Sequence, residues 1–478
     1  MTDDTLAAVP VGERQLFLDD AGIARLERLT RTAHQPAKKG AVIRTDLDDA
    51  GQGSIQIRTA PAWDPEARVY KLWTITTPEA LAAQGIRCAG YYESTDGLHW
   101  AKPVVGQVEY RGSRQNNYIT TLTGKGYHAP THVVYDDTDP NPARRYKAAM
   151  TNEGFLASPD GITWTLLDVP PVPSQDESNL SFDRQAHLFL HTVKHRGPYG
   201  RAVWLSTSPD FAHWTEPQLT FHADDRDQEI GRERIAARLA DPTLQRLFAH
   251  DPALYNVEVY NMGLFRYEGQ YIGLPTMFHS VGPHGPDYPN TEGFHLVHLA
   301  WSRDLQTWSR MDDRQPFIGQ SPAGAGAYDI TQILGPSAPV LHGDALWFYY
   351  TGVKYRAAAN WADAHTLDPD RGAVCLAVLR RDGFVSLDAG NAAGVLVTQP
   401  FRLSGRTLHA NVTAVRGELS AELQDLDGTV LATSERLQGE HLRGALRWPE
   451  GDLQQWQGCP VVLRFTLRHA RFYSYWFE

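Results

Sequence analysis

Cysteine is scarce in this sequence, and long apolar runs are missing from it. The 478 residues include three cysteines, Cys88, Cys375 and Cys459, which lie far apart. An odd number of isolated cysteines fits neither a disulfide framework nor a CxxC metal site. No apolar run approaches the roughly 18 residues that a membrane helix needs. The sequence therefore argues against a small disulfide-stabilised scaffold and against a helical membrane protein.

Positive charge is also limited. The chain has 45 Lys and Arg against 56 Asp and Glu, so its formal net charge is −11. Nucleic acids and anionic membranes bind positively charged surfaces, and we expect neither as a partner. The first residues, MTDDTLAAVPVGERQ, lack the basic and apolar segments of a secretory signal. These features of the sequence predict a cytoplasmic location.

Tryptophan, in contrast, is plentiful, with 13 residues, and four of them recur in one pattern. The pattern is S-x-D-x-x-x-W, and its copies span 94–100, 158–164, 208–214 and 302–308. Three strand-like runs separated by turn residues precede each copy. A four-stranded unit that repeats in this way is a β-propeller blade. We expect each Asp to cap a turn through backbone N–H groups and each Trp to pack between neighbouring blades.

The segment Arg381–Phe384 is a fifth, degraded copy in which Phe replaces Trp. The predicted fold is therefore all-β, with a five-bladed β-propeller. From about residue 390 the repeat stops, and runs of alternating apolar and polar residues indicate a C-terminal β-sandwich. We predict an N-terminal extension at 1–45, the propeller at 46–389 and the β-sandwich at 390–478.

Helical patterns are rare in the chain. The one convincing helical stretch is Glu229–Phe248, which the dipeptide Asp241-Pro242 interrupts. The pattern of residues 23–32 fits a helix or a strand equally well. Helix therefore contributes little to the predicted architecture.

Acidic residues recur where each inner strand of the propeller is predicted to begin. In a propeller these positions face the mouth of the central funnel. The polar residues at these positions are Asp46, Asp48, Asp49 and Gln52 in blade one, His128 and His132 in blade two, Asp176 and Glu177 in blade three, Glu258, Tyr260 and Asn261 in blade four, and Asp329 and Gln332 in blade five. Glycoside hydrolysis needs one carboxylic acid to protonate the leaving oxygen and a second carboxylate as nucleophile or base. Packing acidic groups together also raises the pKa of one of them.

A second polar group follows in blade four. It consists of His279, His284, Glu292, His295 and His298. The spacing matches no recognised metal-ligand motif, so we expect hydrogen bonds to sugar hydroxyls or a purely structural role rather than a metal site. No cofactor is predicted.

Two tryptophans, Trp301 and Trp361, lie outside the turn pattern. An aromatic side chain in a funnel can stack on a sugar ring or pack in the core. We favour core packing for Trp301 and leave sugar stacking open for Trp361.

The layout resembles the five-bladed glycoside hydrolases of the invertase/levanase and arabinanase type, and invertases also carry a C-terminal β-sandwich. Residues 258–271, EVYNMGLFRYEGQY, are similar to the W-E-C-P-D-L-F stretch of that family and the strand after it. This resemblance implies that Glu258 is the general acid, that Asp48 or Asp49 is the nucleophile, and that Asp176 or Glu177 stabilises the transition state.

The chain departs from that family at several motifs. The motifs N-D-P-N-G and R-D-P are absent, and Val259 replaces the Cys that follows the acid. The segments R-Q-L-F-L-D-D, D-E-S-N and R-R-D-G-F-V-S-L-D-A-G resemble an uncharacterised bacterial branch of the same superfamily over nearly the whole chain. Fructan chemistry does not follow from this resemblance.

The sequence therefore predicts a glycoside hydrolase that cleaves an oligosaccharide by carboxylate acid/base catalysis in the funnel. Two alternatives stay open. One is a carbohydrate-binding propeller without catalysis, and the other is a glycosyltransferring or phosphorolytic enzyme on the same scaffold. A phosphorylase needs Arg and His at the funnel, and the sequence places neither Arg201 nor Arg266 there. The expected partner is an oligosaccharide, and a homo-oligomer is compatible with the composition.

Overall fold

The computed structural model describes residues 6, 8–45, 55–123, 126–283, 291–356, 367–449, 451 and 453–478. These residues form 34 strands and two α-helices. The strands build five blade sheets, one larger sheet and a short hairpin. The all-β prediction is confirmed.

The first four strands join two different parts of the molecule. They are β1 (Gln15–Leu16), β2 (Ile23–Glu27), β3 (Thr30–Ala33) and β4 (Ala37–Arg44). The strands β1, β2 and β3 pair with strands of the C-terminal region. The strand β4 pairs instead with a strand of the last blade. The segment 23–32 is therefore extended and not helical.

The first three blades are antiparallel sheets of four strands in chain order. Blade one has β5 (Ala62–Asp64), β6 (Val69–Ile75), β7 (Ala89–Ser94) and β8 (Tyr118–Ile119), and the hairpin of β9 (Thr121–Thr123) and β10 (Gly126–His128) follows it. Blade two has β11 (His132–Tyr135), β12 (Tyr146–Met150), β13 (Gly154–Ser158) and β14 (Thr165–Leu166). Blade three has β15 (Ser178–Asp183), β16 (Leu188–Gly197), β17 (Gly200–Ser208) and β18 (Gln218–Phe221).

The last two blades complete the ring, which confirms the five-bladed propeller. Blade four has β19 (Asn256–Tyr267), β20 (Gln270–Pro283), β21 (Thr291–Val297) and β22 (Ala300–Ser302), and both β21 and β22 pair with β20. Blade five has β23 (Gln332–Leu334), β24 (Val340–His342), β25 (Ala345–Val353) and β26 (Gly372–Arg380). Its outermost strand is β4, so the N-terminal part of the chain closes the propeller.

The four S-x-D-x-x-x-W copies form the same turn in four blades. In blade two, Asp160 accepts hydrogen bonds from the N–H groups of Ile162 and Thr163 at 2.8 and 2.7 Å. Trp164 packs against Trp73 of blade one, with the ring centroids 6.2 Å apart. The other three tryptophans likewise contact an aromatic residue of the preceding blade, in the pairs Trp100–Tyr349, Trp214–Phe155 and Trp308–Phe221. The predicted roles of the Asp and Trp are confirmed.

The predicted fifth copy of the turn is confirmed only in part: Phe384 contacts Tyr267 of the preceding blade, as the tryptophans do, but Asp382 has another role. A blade turn at Asp382 would lead into an outer strand, but β4 already fills that place. Asp382 is instead 1% exposed, and it accepts hydrogen bonds at 2.6 Å from Arg14, Tyr267 and Ser474. It therefore joins the N-terminal segment, blade four and the C-terminal sheet.

The C-terminal region is a curled sheet. Its strands are β27 (Val385–Ala389), β28 (Gly394–Thr398), β29 (Phe401–Arg402), β30 (Leu408–Gln424), β31 (Val430–Thr433), β32 (Leu437–Ala445), β33 (Pro460–Arg468) and β34 (Ala470–Phe477). Together with β1–β3 they form one sheet of 11 strands around a buried apolar core. The predicted sandwich is not confirmed, and the predicted domain limits stay a prediction.

The helices are α1 (Glu79–Ala82) and α2 (Asp225–Ala240), with 3-10 turns at Pro142–Arg144, Pro252–Leu254 and Leu453–Trp456. A capping box of Asp224 and Asp227 begins α2, four residues before the predicted start. The helix ends ahead of Asp241, because the following proline disfavours helical geometry at that residue. In the described part of the chain, no helix has the length and apolarity to cross a membrane.

Candidate functional site

A buried ion pair lies where the inner strands of blades one and three begin. Both oxygens of Glu177, directly before β15, accept hydrogen bonds from the Arg58 guanidinium at 2.5 and 2.7 Å. Burial raises the pKa of Glu177, but the charge and hydrogen bonds of Arg58 and the charge of Lys194 outweigh burial, so its pKa is lowered. Glu177 is therefore an ionised carboxylate near neutral pH.

Three further cations surround Tyr260 of β19. The Lys194 ammonium lies 4.0 Å from the centre of the Tyr260 ring. The guanidinium carbons of Arg356 and Arg201 lie 5.6 and 5.9 Å from the same centre. We use the name Tyr260 cluster for Arg58, Asp176, Glu177, Lys194, Arg201, Glu258, Tyr260, His295 and Arg356. Its members come from blades one, three, four and five.

Two more carboxylates of the Tyr260 cluster are held by these cations. Glu258 is 8% exposed, and its Oε2 accepts a hydrogen bond from the Arg201 backbone N–H at 2.8 Å. Its Oε1 accepts from the Arg201 guanidinium. Asp176 forms an ion pair with Lys194, and its side chain is 64% exposed. The cluster thus presents one solvent-facing carboxylate and two buried ones.

A cleft of about 290 Å³ lies beside the Tyr260 cluster, between blades one, two and three. Its polar lining residues include Arg58, His128, His132, Glu153, Asp176 and Glu177. His128 lies 3.9 Å from Glu153. Burial lowers the pKa of His132 to about 4, so this imidazole is neutral near pH 7. The cleft is large enough for a sugar ring and carries hydrogen-bonding groups on several sides.

Three histidines of blade four, His279, His295 and His298, are neutral and buried. Burial lowers the pKa of His279 to about 3 and places the pKa values of His295 and His298 well below the usual range. His295 lies in the Tyr260 cluster, with its ring centre 4.7 Å from that of Tyr260. His279 stacks on Phe294. In the part of the chain that the structure describes, no three His, Cys, Asp or Glu side chains are placed to hold a metal ion.

Glu292 has an electrostatic environment opposite to that of Glu177. It begins β21, is 1% exposed and accepts a hydrogen bond from the Gly293 N–H at 3.0 Å. Burial raises its pKa, and the charges of Arg356 and Arg238 only partly oppose this effect. A carboxyl group of this kind keeps its proton to higher pH than an ordinary glutamic acid.

The structure does not bring Asp329 to the Tyr260 cluster. Its carboxylate pairs with Lys38 of β4 at 2.7 Å and accepts a hydrogen bond from Tyr350 at 2.9 Å. Asn261 is 4% exposed, and neither polar atom of its side chain has a hydrogen-bond partner among the described residues. A substrate-binding role for either residue stays a prediction. The predicted residues Asp46, Asp48, Asp49, Gln52, His284 and Trp361 lie outside the described residues.

No protein-family model and no curated protein sequence matches the chain. Similar solved structures include a glycoside hydrolase family 43 arabinoxylan arabinofuranohydrolase from Bacillus subtilis, at 11% identity, 92% coverage of this chain, 99% of that chain and a TM-score of 0.37. A GH32 beta-fructofuranosidase from Bombyx mori has 10% identity, 92% and 93% coverage and a TM-score of 0.39. A protein of the GH130 family of mannoside phosphorylases and glycoside hydrolases has 11% identity, 79% and 97% coverage and a TM-score of 0.38. Similarities this distant assign neither activity nor substrate to this chain.

The cations of the Tyr260 cluster are the functional residues that sequence reasoning missed. Arg58 and Lys194 lie within runs that otherwise consist of apolar and small polar residues, QIRTA and FLHTVK. A charged residue inside a buried strand is rare unless it is paired, and this signal could have identified them. Arg201 lies in the cluster, whereas Arg266 lies 3.8 Å from Asp183 and outside it.

Proposed function

We propose that the chain cleaves a glycosidic bond of an oligosaccharide at the Tyr260 cluster. The observation that carries this proposal is the convergence of Asp176, Glu177 and Glu258 around Tyr260, beside a cleft of about 290 Å³. Carboxylates that flank one bound sugar are the groups that glycoside hydrolysis uses. The cleft supplies additional hydrogen-bond donors and acceptors for sugar hydroxyls.

Two glutamates are candidates for the proton donor. Glu258 occupies the inner strand of blade four and lies next to Tyr260. Glu292 is favoured by its raised pKa, because a general acid must still hold its proton near the working pH. Glu258, by contrast, accepts hydrogen bonds from Arg201 at both oxygens. This arrangement suits a carboxylate that stabilises positive charge or acts as a base.

Glu177 and Asp176 suit the stabilisation of positive charge rather than proton donation. Glu177 is held ionised by Arg58, and a fixed negative charge favours the oxocarbenium-like transition state of glycoside cleavage. Asp176 is exposed enough to contact a substrate hydroxyl. The nucleophile or base remains Asp48 or Asp49 by resemblance.

The test uses the full chain with a panel of aryl glycosides and of fructo-, arabino- and galacto-oligosaccharides. On a cleaved substrate, Glu258→Gln and Glu292→Gln are each compared with Glu418→Gln. Glu418 is the matched control because it pairs with Arg436 on the C-terminal sheet at 3.0 Å, away from the cleft. Loss of the proton donor should lower kcat about 10²–10⁴-fold, and the control should keep its activity.

The kcat values of these variants show which glutamate is the proton donor. A large loss for Glu292→Gln alone assigns the proton donor to Glu292, and a large loss for Glu258→Gln alone assigns it to Glu258. Normal kcat in both variants would contradict the proposal. Tight glycan binding without turnover across the panel would instead support the carbohydrate-binding propeller.

A further inference from the structure

Lys194, Arg201 and Arg356 converge on one pair of aromatic rings. Arg356 lies 4.3 Å and Arg201 5.5 Å from the centre of Phe278, and both face Tyr260 together with Lys194. Lys194 and Arg356 are only 2% and 3% exposed. These three positive charges therefore share one largely buried space.

Keeping like charges together away from water is unfavourable. Burial lowers the pKa of Arg356, and the Arg201 charge lowers it further. Burial also lowers the pKa of Lys194. Asp176 and Glu258 offset part of this positive charge through their ion pairs with Lys194 and Arg201. A bound negative group would offset it further, so the arrangement favours an anionic ligand over a neutral one.

Arg201 is the cation best placed to bind such a ligand. One guanidinium nitrogen, Nη1, donates to Glu258, while Nε and Nη2 have no hydrogen-bond partner among the described residues. The side chain is 25% exposed, which makes it the most exposed of the three cations. The planar guanidinium fork matches the two oxygens of a carboxylate or phosphate.

His295 provides an independent indication of a ligand at the same place. Its Nδ1 lies 2.9 Å from the carbonyl oxygen of Ile333, which requires the proton to be on Nδ1 because a carbonyl can only accept. The neutral ring then presents a bare Nε2 on its other side, and this atom has no partner in the described part of the chain although the residue is fully buried. The charges of Arg356, Arg201 and Lys194 act on this ring, whose centre lies 4.7 Å from that of Tyr260, so the ring and the three cations share one neighbourhood. A bare ring nitrogen accepts a hydrogen bond from a hydroxyl group.

We propose that Arg201, Lys194 and Arg356 form an oxyanion subsite of the Tyr260 cluster, in which His295 accepts a hydrogen bond from a hydroxyl next to the bound negative charge. The inference rests on the proposed function, since it names the class of ligand at that site. Two sources supply this chemistry: the carboxylate of a uronic acid residue within the glycan, or inorganic phosphate as a second substrate of bond cleavage. In both of these ligands, an anionic group and a hydroxyl group are close together.

The test is a titration calorimetry series with the full chain at constant ionic strength. The ligands are glucuronate, galacturonate and inorganic phosphate, with glucose and galactose as neutral counterparts. We expect at least one anion to bind more tightly than the neutral sugars. Arg201→Gln should weaken its binding about tenfold or more, the equivalent of one charge-assisted hydrogen bond.

Two control variants distinguish a loss of anion recognition from a loss of folding. Arg201→Lys keeps the charge but loses the planar fork, so it should bind with intermediate affinity. Arg436→Gln, which removes an arginine that also pairs with a glutamate, should bind like the unchanged protein. Equal anion affinity of the unchanged protein and Arg201→Gln, or no preference for any anion over the neutral sugars, overturns the proposal.

Turnover assays distinguish the two sources and separate this inference from the proposed function. Cleavage that requires added phosphate identifies phosphate as the ligand, and cleavage restricted to uronate-containing glycans identifies the sugar carboxylate. Cleavage of neutral glycans that does not change in Arg201→Gln would overturn the subsite and leave the proposed function standing. Anion binding that depends on Arg201 without any glycan cleavage would support the subsite and contradict the proposed function.

Discussion

Burial acts on Glu177 and Glu292 in the same direction, yet the pKa values of the two side chains shift oppositely. Glu177 forms two hydrogen bonds with a buried guanidinium, so ionisation is favoured in spite of burial. Glu292 accepts backbone hydrogen bonds from Gly293 and Phe248 and lies near the charges of Arg356 and Arg238, but these effects do not outweigh burial, so its pKa is raised. Opposite shifts in one funnel are the usual basis for dividing acid and base roles between carboxylates.

Replacing Glu177 should destabilise the protein in a pH-dependent way. The folded-state pKa of Glu177 lies below its value in the unfolded chain, so its stabilising effect is present above pH 4.5 and is lost as the pH falls through the folded-state pKa. Glu177→Gln also leaves the Arg58 charge buried without its partner. We expect a loss of about 3–5 kcal/mol at pH 7, measured by denaturant unfolding. An equal loss at pH 3 would contradict this interpretation.

Replacing Glu292 should have the opposite effect on stability. Its folded-state pKa is raised, so ionisation of this residue opposes folding at pH values above its unfolded-state pKa, and the effect vanishes below that pKa. Glu292→Gln should therefore raise the melting temperature at pH 7 and leave it nearly unchanged at pH 4. A lower melting temperature at pH 7 would show that the charge of Glu292 is needed by its neighbours.

At the level of turns and strands, the repeated S-x-D-x-x-x-W sequence forms the same turn wherever the surrounding blade is also repeated. The Asp of each S-x-D-x-x-x-W copy accepts two backbone hydrogen bonds. Both donors belong to the same seven-residue segment. This is why the sequence alone located four of the blades. Asp382 has similar neighbours in the sequence, but Arg14 and Ser474 reach it from both ends of the chain. No local sequence pattern indicates contacts between residues that are so far apart in the chain.

Asp382 and Asp304 allow a direct comparison of these two situations. Asp304→Ala removes a turn cap at the surface, and we expect it to cause the smaller loss of stability of the two variants. Asp382→Ala leaves the buried Arg14 charge with only its longer ion pair, to Glu268 at 4.0 Å, in place of the 2.6 Å pair. We expect a loss of about 3 kcal/mol. Chemical denaturation of both variants provides the measurement. Similar losses would mean that Asp382 contributes no more than an ordinary turn residue.

At the level of the whole molecule, the site depends on the closure of the ring. Four blades contribute residues to the Tyr260 cluster, and these residues meet only once the propeller is complete. The sequence could predict Glu177, Glu258 and Tyr260 as candidates because they lie near the predicted beginnings of inner strands. In the structure Glu177 directly precedes β15, and Glu258 and Tyr260 are the third and fifth residues of β19. The sequence could not predict Lys194, Arg201 and Arg356, because these lie at the ends of second strands or beginnings of third strands, where their direction depends on pairing and bulges.

Closure itself depends on the pairing of β4 with β26, which joins residues far apart in the chain. Ala41 lies opposite Cys375 in this antiparallel pair, and Cys375 is a buried free thiol. Directly opposite residues in such a pair are close enough for a disulfide. We expect Ala41→Cys to form a disulfide with Cys375 on mild oxidation and to stabilise the protein by roughly 2–5 kcal/mol, because the crosslink restricts a very long loop in the unfolded chain.

The measurement compares melting temperatures of the oxidised and reduced Ala41→Cys variant. The control adds Cys375→Ser, which cannot form the crosslink and should show no redox-dependent shift. If β4 separates from β26 before the blades unfold, the crosslink should also slow unfolding, since it blocks the first opening of the ring. A crosslinked variant that melts and unfolds like its reduced form would place the first opening elsewhere in the propeller and contradict the role assigned to β4.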